Sequence, residues 1–177
     1  LANPSVPTLA SEIPGNNITS ALWNGNVYNG LTYALGAPLF VARQQNAQSF
    51  NSGTNTPVTW DTIDIDQYGG FNAAVDATKY TVQQPGWYEV LYNVAWANNS
   101  TGARSAFLIK NGANQPGSWY TYAAAASNYP TCSGSFRLKC AVGDAIQVSV
   151  QQTSGAALST ANPGVGGPWW SVLWCHV

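Results

Sequence analysis

Asp61, Asp64 and Asp66 stand within six residues in VTWDTIDID and form the only carboxylate cluster in the chain. A hard cation such as calcium needs several oxygen ligands converging in a loop. Read as a strand, the segment puts Val58, Trp60, Thr62, Asp64 and Asp66 on one side, with Thr59, Asp61, Ile63 and Ile65 on the other. The cluster is therefore divided, and a solvated strand edge is preferred to a metal site. Glu12 and Glu89 are the only glutamates, so paired-carboxylate glycosidase chemistry has few candidates. His176, the sole histidine, sits in the apolar WWSVLWCHV with no Ser or Cys nucleophile motif beside it. It reads as a packed or interface histidine. The GVGG run at 164–167 lacks the lysine and the strand-then-helix context of a phosphate loop. No active site assembles: the chain reads as a non-enzyme with no cofactor and no metal.

Cys132, Cys140 and Cys175 are an odd set, which cannot form a full disulfide framework. A Cys132–Cys140 bridge fits the spacing, but small buried hydrophobes is the preferred reading. Asn17-Ile-Thr19, Asn98-Asn-Ser100 and Asn99-Ser-Thr101 match the glycosylation acceptor pattern, as chance alone provides in a chain so rich in Asn, Ser and Thr. Eight Trp and nine Tyr would also suit a sugar-stacking platform. Most of them fall in strand-like segments, where core or subunit packing is the simpler account.

These residues must be positioned by a framework with very little charge. Of 177 residues 45% are hydrophobic and only 7% charged, with a net charge of −1. That charge supplies no field for nucleic acid or an anionic membrane surface. No apolar run approaches the roughly 20 residues that span a bilayer. The first residues lack the basic flank and apolar stretch of a signal peptide, as an already processed chain would too.

Residues 1–17, LANPSVPTLASEIPGNN, carry three prolines and no period, the pattern of an extended arm. Ile18 and Leu22, then Trp23, Val27, Leu31 and Leu35, follow at four-residue spacing and predict an amphipathic helix, with Asn17 or Thr19 as its cap and Gly36 and Pro38 at its end. Gly25 and Gly30 inside it each cost up to about 1 kcal/mol, so the helix needs something to pack against. From residue 38 short strands take over: PLFVARQQ, VTWDTIDID, KYTV, GWYEVLYNVAW closing at the polar NNSTG, ARSAFLIK, SFRLKCAV, AIQVSVQQ and WWSVLWCHV. Asn111-Gly112 and Gly143-Asp144 are turn signals, while YTYAAAASNYPT is indecisive. About eight strands at regular spacing point to an all-β sandwich or jelly roll.

The segment from Pro38 to Val177 resembles the C1q/TNF-like trimeric jelly roll. The resemblance rests on Trp60-Asp61 ending a strand, YTVQQPGWYEVLYNVAW with its Pro-Gly-aromatic-Tyr entry, SAFLIKNG, the LKCAVGDAIQVSV hairpin and the apolar closing strand WWSVLWCHV. In style it is closer to the modules of bacteriophage structural proteins, on Trp23-Asn24 before PLFVARQQ, on WANNSTG and on the sparse Lys and Arg. It departs from the family in lacking a preceding collagen-like repeat and a clear set of calcium ligands.

The resemblance implies a two-sheet sandwich at 38–177, with an N-terminal arm and short helix at 1–37, and a homotrimer whose inner sheets meet at the axis. Tyr88, Val90, Tyr92, Val94 and Trp96 would fill the sandwich, joined by Val172 and Trp174 of the closing strand. The neighbouring subunit would meet Trp87, Leu91, Asn93, Leu173, Cys175 and Val177, with Glu89 nearer the rim. By the same resemblance the chain would decorate the outer surface of a bacteriophage capsid, attaching to major capsid or other virion proteins through Trp23, Val27, Leu31 and Leu35. The alternative is an extracellular or tail-fibre head that binds a glycan or receptor; an enzyme with a concealed acid–base pair ranks third.

Overall fold

A computed structural model describes residues 19–31, 36, 38–125, 129–161 and 166–176. The described part begins with α1 (Ser20–Leu22), which Thr19 caps by accepting from the Leu22 amide at 3.2 Å. A π-helical turn, Trp23–Tyr28, follows, and the Asn29 amide reaches back five residues to the Asn24 carbonyl. The wider turn breaks the expected 3.6-residue stripe. Trp23 and Leu31 are exposed and Val27 is half-buried, while Leu35 lies outside the described residues.

The strands are β1 (Leu39–Arg43), β2 (Ser49–Phe50), β3 (Thr56–Pro57), β4 (Thr62–Asp66), β5 (Phe71–Asn72), β6 (Ala77–Thr81), β7 (Gly86–Ala95), β8 (Asn99–Lys110), β9 (Ala113–Asn114), β10 (Tyr120–Ala125), β11 (Thr131–Cys140), β12 (Ala145–Gln152), β13 (Leu158–Ser159) and β14 (Trp169–His176). A single helical turn, α2 (Ala73–Asp76), precedes β6. One sheet has the order β11-β7-β14-β1-β4; the other runs β10-β8-β12-β6-β5, with β3 beside β12 and β9 beside β8. The ladders are antiparallel, so each strand turns one parity inward and the other outward.

The core lies between the sheets. Tyr88, Val90, Tyr92, Val94 and Trp96 are fully buried, as their parity predicts, and Val172 joins them while Trp174 packs at the margin. Trp60 stacks on Trp170 at 5.5 Å, and Phe40 meets Trp170 edge-on at 5.1 Å. Tyr92 carries its hydroxyl across the interior to the Ser118 carbonyl at 2.6 Å. Aromatic rings thus fill the space between the sheets, each burying a large area.

Asn111, at φ 51°, and Gly112, at φ 79°, form the two-residue hairpin between β8 and β9 that the dipeptide predicts. Asp144 clasps this turn to the next one, accepting from Asn111 Nδ2 at 2.7 Å and from the Ala141 amide at 2.9 Å.

Two expectations need correction. VTWDTIDID is not one strand. Val58 and Trp60 bond to Val148 and Ala77 of the seven-stranded sheet, and the chain then crosses so that β4 pairs with β1. Simple alternation cannot register a strand that changes sheets. NNSTG is not a loop: it opens β8, where Asn99 and Ala103 pair with Ala125 and Ala123. The buried Arg104 guanidinium donates to the carbonyls of Asn99 and Thr101 and holds this polar end in place. Cys132 and Cys140 are free and buried, as the preferred reading has them; they stand eight positions apart on β11, about 26 Å along an extended strand and far beyond disulfide reach.

Candidate subunit interface

The outward face of the five-stranded sheet is fixed by register. Across β11, β7, β14, β1 and β4 one row reads Ser135, Leu91, Ser171, Val41, Ile65. The next reads Arg137, Glu89, Leu173, Leu39, and on the other side stands Ser133, Asn93, Trp169, Arg43. A fourth, shorter row is Lys139, Trp87, His176. On this face β11 is polar, while β7, β14 and β1 carry aliphatic and aromatic side chains with Glu89, Asn93, Ser171, His176 and Arg43 among them. Trp87 is 37% exposed and Trp169 41%.

Several of these polar groups are paired within the chain. Arg43 Nε contacts both carboxylate oxygens of Asp64, at 3.0 and 3.1 Å. Arg137 Nε lies 3.7 Å from Glu89 Oε1, and Ser133 Oγ donates to Asn93 Oδ1 at 2.7 Å. Exposed ion pairs of this kind add little stability. What they do is offset the charges of Arg43, Arg137 and Glu89 within the chain, so that the face carries little net charge beside its aliphatic and aromatic side chains.

Of the residues singled out in the sequence, Trp87, Leu91, Asn93 and Leu173 share this face. Cys175 falls in a β-bulge between Trp174 and His176, so that His176 takes the position opposite Trp87, with ring centroids 6.4 Å apart. Val177 lies outside the described residues. Sequence reasoning missed Trp169, Leu39, Val41 and Ile65. The alternation of Leu39, Val41 and Arg43 was visible, but nothing local says that β1 lies beside β14.

The carboxylates have structural tasks. Asp61 accepts from the Gln45 and Asn46 amides at 2.6 and 2.8 Å. Partial desolvation pushes its pKa up, but the hydrogen bonds from Gln45, Asn46 and Thr62 outweigh that and hold it below the usual value. Asp66 accepts from the Gly70 and Phe71 amides. Among the described residues no group of three His, Cys, Asp or Glu could hold a metal ion, and no helix is long and apolar enough to cross a membrane. Burial raises the thiols of Cys132 and Cys140 to about 11, which removes the thiolate needed for nucleophilic chemistry.

No family model and no curated protein matches this sequence. Solved structures do match. The globular domain of zebrafish complement 1qA protein aligns over 78% of this chain and 98% of its own, with TM-score 0.55 and 14% identity. Murine APRIL at pH 5.0 aligns over 78% and 99%, with TM-score 0.58 and 15% identity. Eiger TNF from S. frugiperda aligns over 78% and 91%, with TM-score 0.53 and 12% identity. The fold is a C1q/TNF-like jelly roll. In this jelly roll β7 and β14 are neighbours at the middle of one sheet, as the resemblance implied, and the apolar face described above is the outward side of that sheet.

Proposed function

We propose that the protein is a non-enzymatic structural module that acts as a homotrimer, three copies packing these outward sheet faces around a common axis. The observation that carries the reading is the set of apolar side chains on the face: Leu91, Val41 and Ile65 in one row with Ser171 among them, Leu173 and Leu39 in the next beside the paired Glu89, and Trp87 and Trp169 beyond them. A stable interface of this kind resembles a core cut in half. The count of three comes from the resemblance to trimeric jelly rolls. Replacing Leu91→Asp puts a charge at the centre of the contact. The variant is expected to sediment as an 18.7 kDa monomer with unchanged far-UV circular dichroism. A Leu91→Asp protein of unaltered higher mass contradicts the assignment of this face.

The same proposal places the trimer on the outer surface of a bacteriophage particle, as a capsid decoration or minor structural protein. Its support is the phage-like style of the sequence, a composition with only 7% charged residues, and a helical segment that exposes Trp23, Tyr28 and Leu31. Residues 1–37 attach the head to major capsid or other virion proteins, and mass spectrometry of purified particles should detect the chain; its absence from them would remove this placement. Deleting residues 1–37 abolishes attachment while the trimer persists; retained attachment refutes the role of the arm.

A second reading is a trimeric recognition head, extracellular or on a tail fibre. What favours it is an exposed aromatic group on the opposite sheet, away from the proposed subunit contact.

A further inference from the structure

Phe107 lies on the outward parity of β8, between the core-facing Ala106 and Leu108, yet it is only 1% exposed. Its cover is Trp119, from the segment joining β9 to β10. The two rings lie parallel, with centroids 4.0 Å apart and planes 4° apart. Trp119 itself is 42% exposed, so one face of the indole rests on Phe107 while the rest of the ring remains open to solvent. The ring is also tethered. Its Nε1–H donates to Thr121 Oγ1 at 3.0 Å, and that hydroxyl shares a hydrogen bond with Ser105 Oγ at 2.8 Å.

The surroundings are uncharged and rich in hydroxyl and amide groups. Across from Phe107 on β12 is Ser149, fully buried on the outward parity, whose Oγ has no hydrogen-bond partner among the described residues. Gln147 and Gln151 flank it in register, held by Thr78 Oγ1 at 2.6 Å and Asn55 Oδ1 at 2.8 Å. The charge nearest in register, Lys79 opposite Gln147, is neutralised by Asp76 at 3.3 Å.

We propose that this surface is a binding platform for a neutral pyranose glycan, centred on Trp119. A pyranose ring presents a face of polarised C–H groups, which the negative face of an indole attracts, and its equatorial hydroxyls suit amide and hydroxyl partners at the ring's edge. The ring is fixed before ligand arrives, so little rotamer freedom is lost on binding. A surface without net charge disfavours sialylated, sulfated or phosphorylated glycans, whose anionic groups would lose hydration and gain no counter-charge. The platform deepens the recognition reading. It lies on the sheet opposite the subunit contact and stands whether or not the chain trimerises. In a trimer three copies would add avidity.

The test is a titration of the full chain with neutral oligosaccharides of glucose, galactose, mannose and N-acetylhexosamine, with sialylated and sulfated glycans alongside. Indole N–H resonances report binding, and Trp119→Phe assigns the signal of Trp119. At least one neutral series is expected to shift the Trp119 signal saturably at micromolar to millimolar concentration. Trp119→Ala should weaken that binding more than tenfold, and Trp119→Phe, which keeps an aromatic ring over Phe107, should weaken it less. Tyr129→Ala, at an exposed aromatic side chain outside both surfaces, should leave it unchanged. If Trp119→Ala fails to fold, the double variant Gln147→Ala/Gln151→Ala takes its place, with at least a threefold loss expected. Absence of binding by every neutral series, binding by charged glycans alone, or affinity indifferent to Trp119→Ala and the glutamine variant overturns the proposal. Solution mass measured on the same samples keeps a failed platform distinct from a failed trimer.

Discussion

Gly86 shows what one residue does at the entry to the central strand. Its φ is 143°, and a Cβ there would run into the His176 carbonyl and Trp174 Nε1. Trp174 Nε1 donates to the Pro85 carbonyl at 3.1 Å, so the Pro-Gly step lets β14 close over the start of β7. Gly86→Ala combines backbone strain with a clash against main chain and is expected to cost about 2–4 kcal/mol. Thermal unfolding should move down by about 5–15 °C; an unshifted midpoint contradicts the close approach. The thiols offer a second check at this scale. With Cys132 and Cys140 buried and raised to about 11, a thiol reagent should leave both unmodified in the native protein and label all three cysteines in denaturant. Rapid native labelling of either one would show that the interior is more open than described.

At the scale of elements, the paired turns depend on Asp144. Its pKa is held below the usual value first by the hydrogen bond from Asn111, then by that from the Ala141 amide, with Lys110 at 3.2 Å assisting. A carboxylate depressed in the folded state contributes stability above its unfolded pKa and loses it as pH falls through the folded one. Asp61 and Asp76 shift in the same direction. Thermal stability should therefore be level near neutrality and fall as pH drops below about 4. Asp144→Asn should flatten part of that fall, and an equally steep acid profile in the variant would count against the clasp.

Much of this layer was legible in the sequence. The resemblance to the jelly roll supplied the parity of β7 and of β14 as far as Leu173, and Asn-Gly, a local signal, predicted a hairpin. The crossing between β3 and β4, the π-helical turn and the bulge near Cys175 were not legible, because each depends on partners far away in the chain. Trp119 escaped for a related reason. Its neighbour Phe107 has the parity of a solvent-facing residue, and only the stacked pair explains its burial.

For the whole molecule, the two sheets present two different outer faces. The face of β7, β14 and β1 combines aliphatic and aromatic side chains with charges that are paired inside the chain, and the opposite face is polar and carries the stacked Phe107 and Trp119. The aligned C1q and TNF-type structures share the sandwich at 12–15% identity, so what is common to them is the arrangement of strands rather than particular side chains. The account's central claim is that the first face is buried in a homotrimer. The most direct test is the mass of the unmodified chain in solution by multi-angle light scattering at micromolar concentration. The account predicts a single species of about 56 kDa, three copies of the 18.7 kDa chain. A stable 18.7 kDa monomer would contradict it.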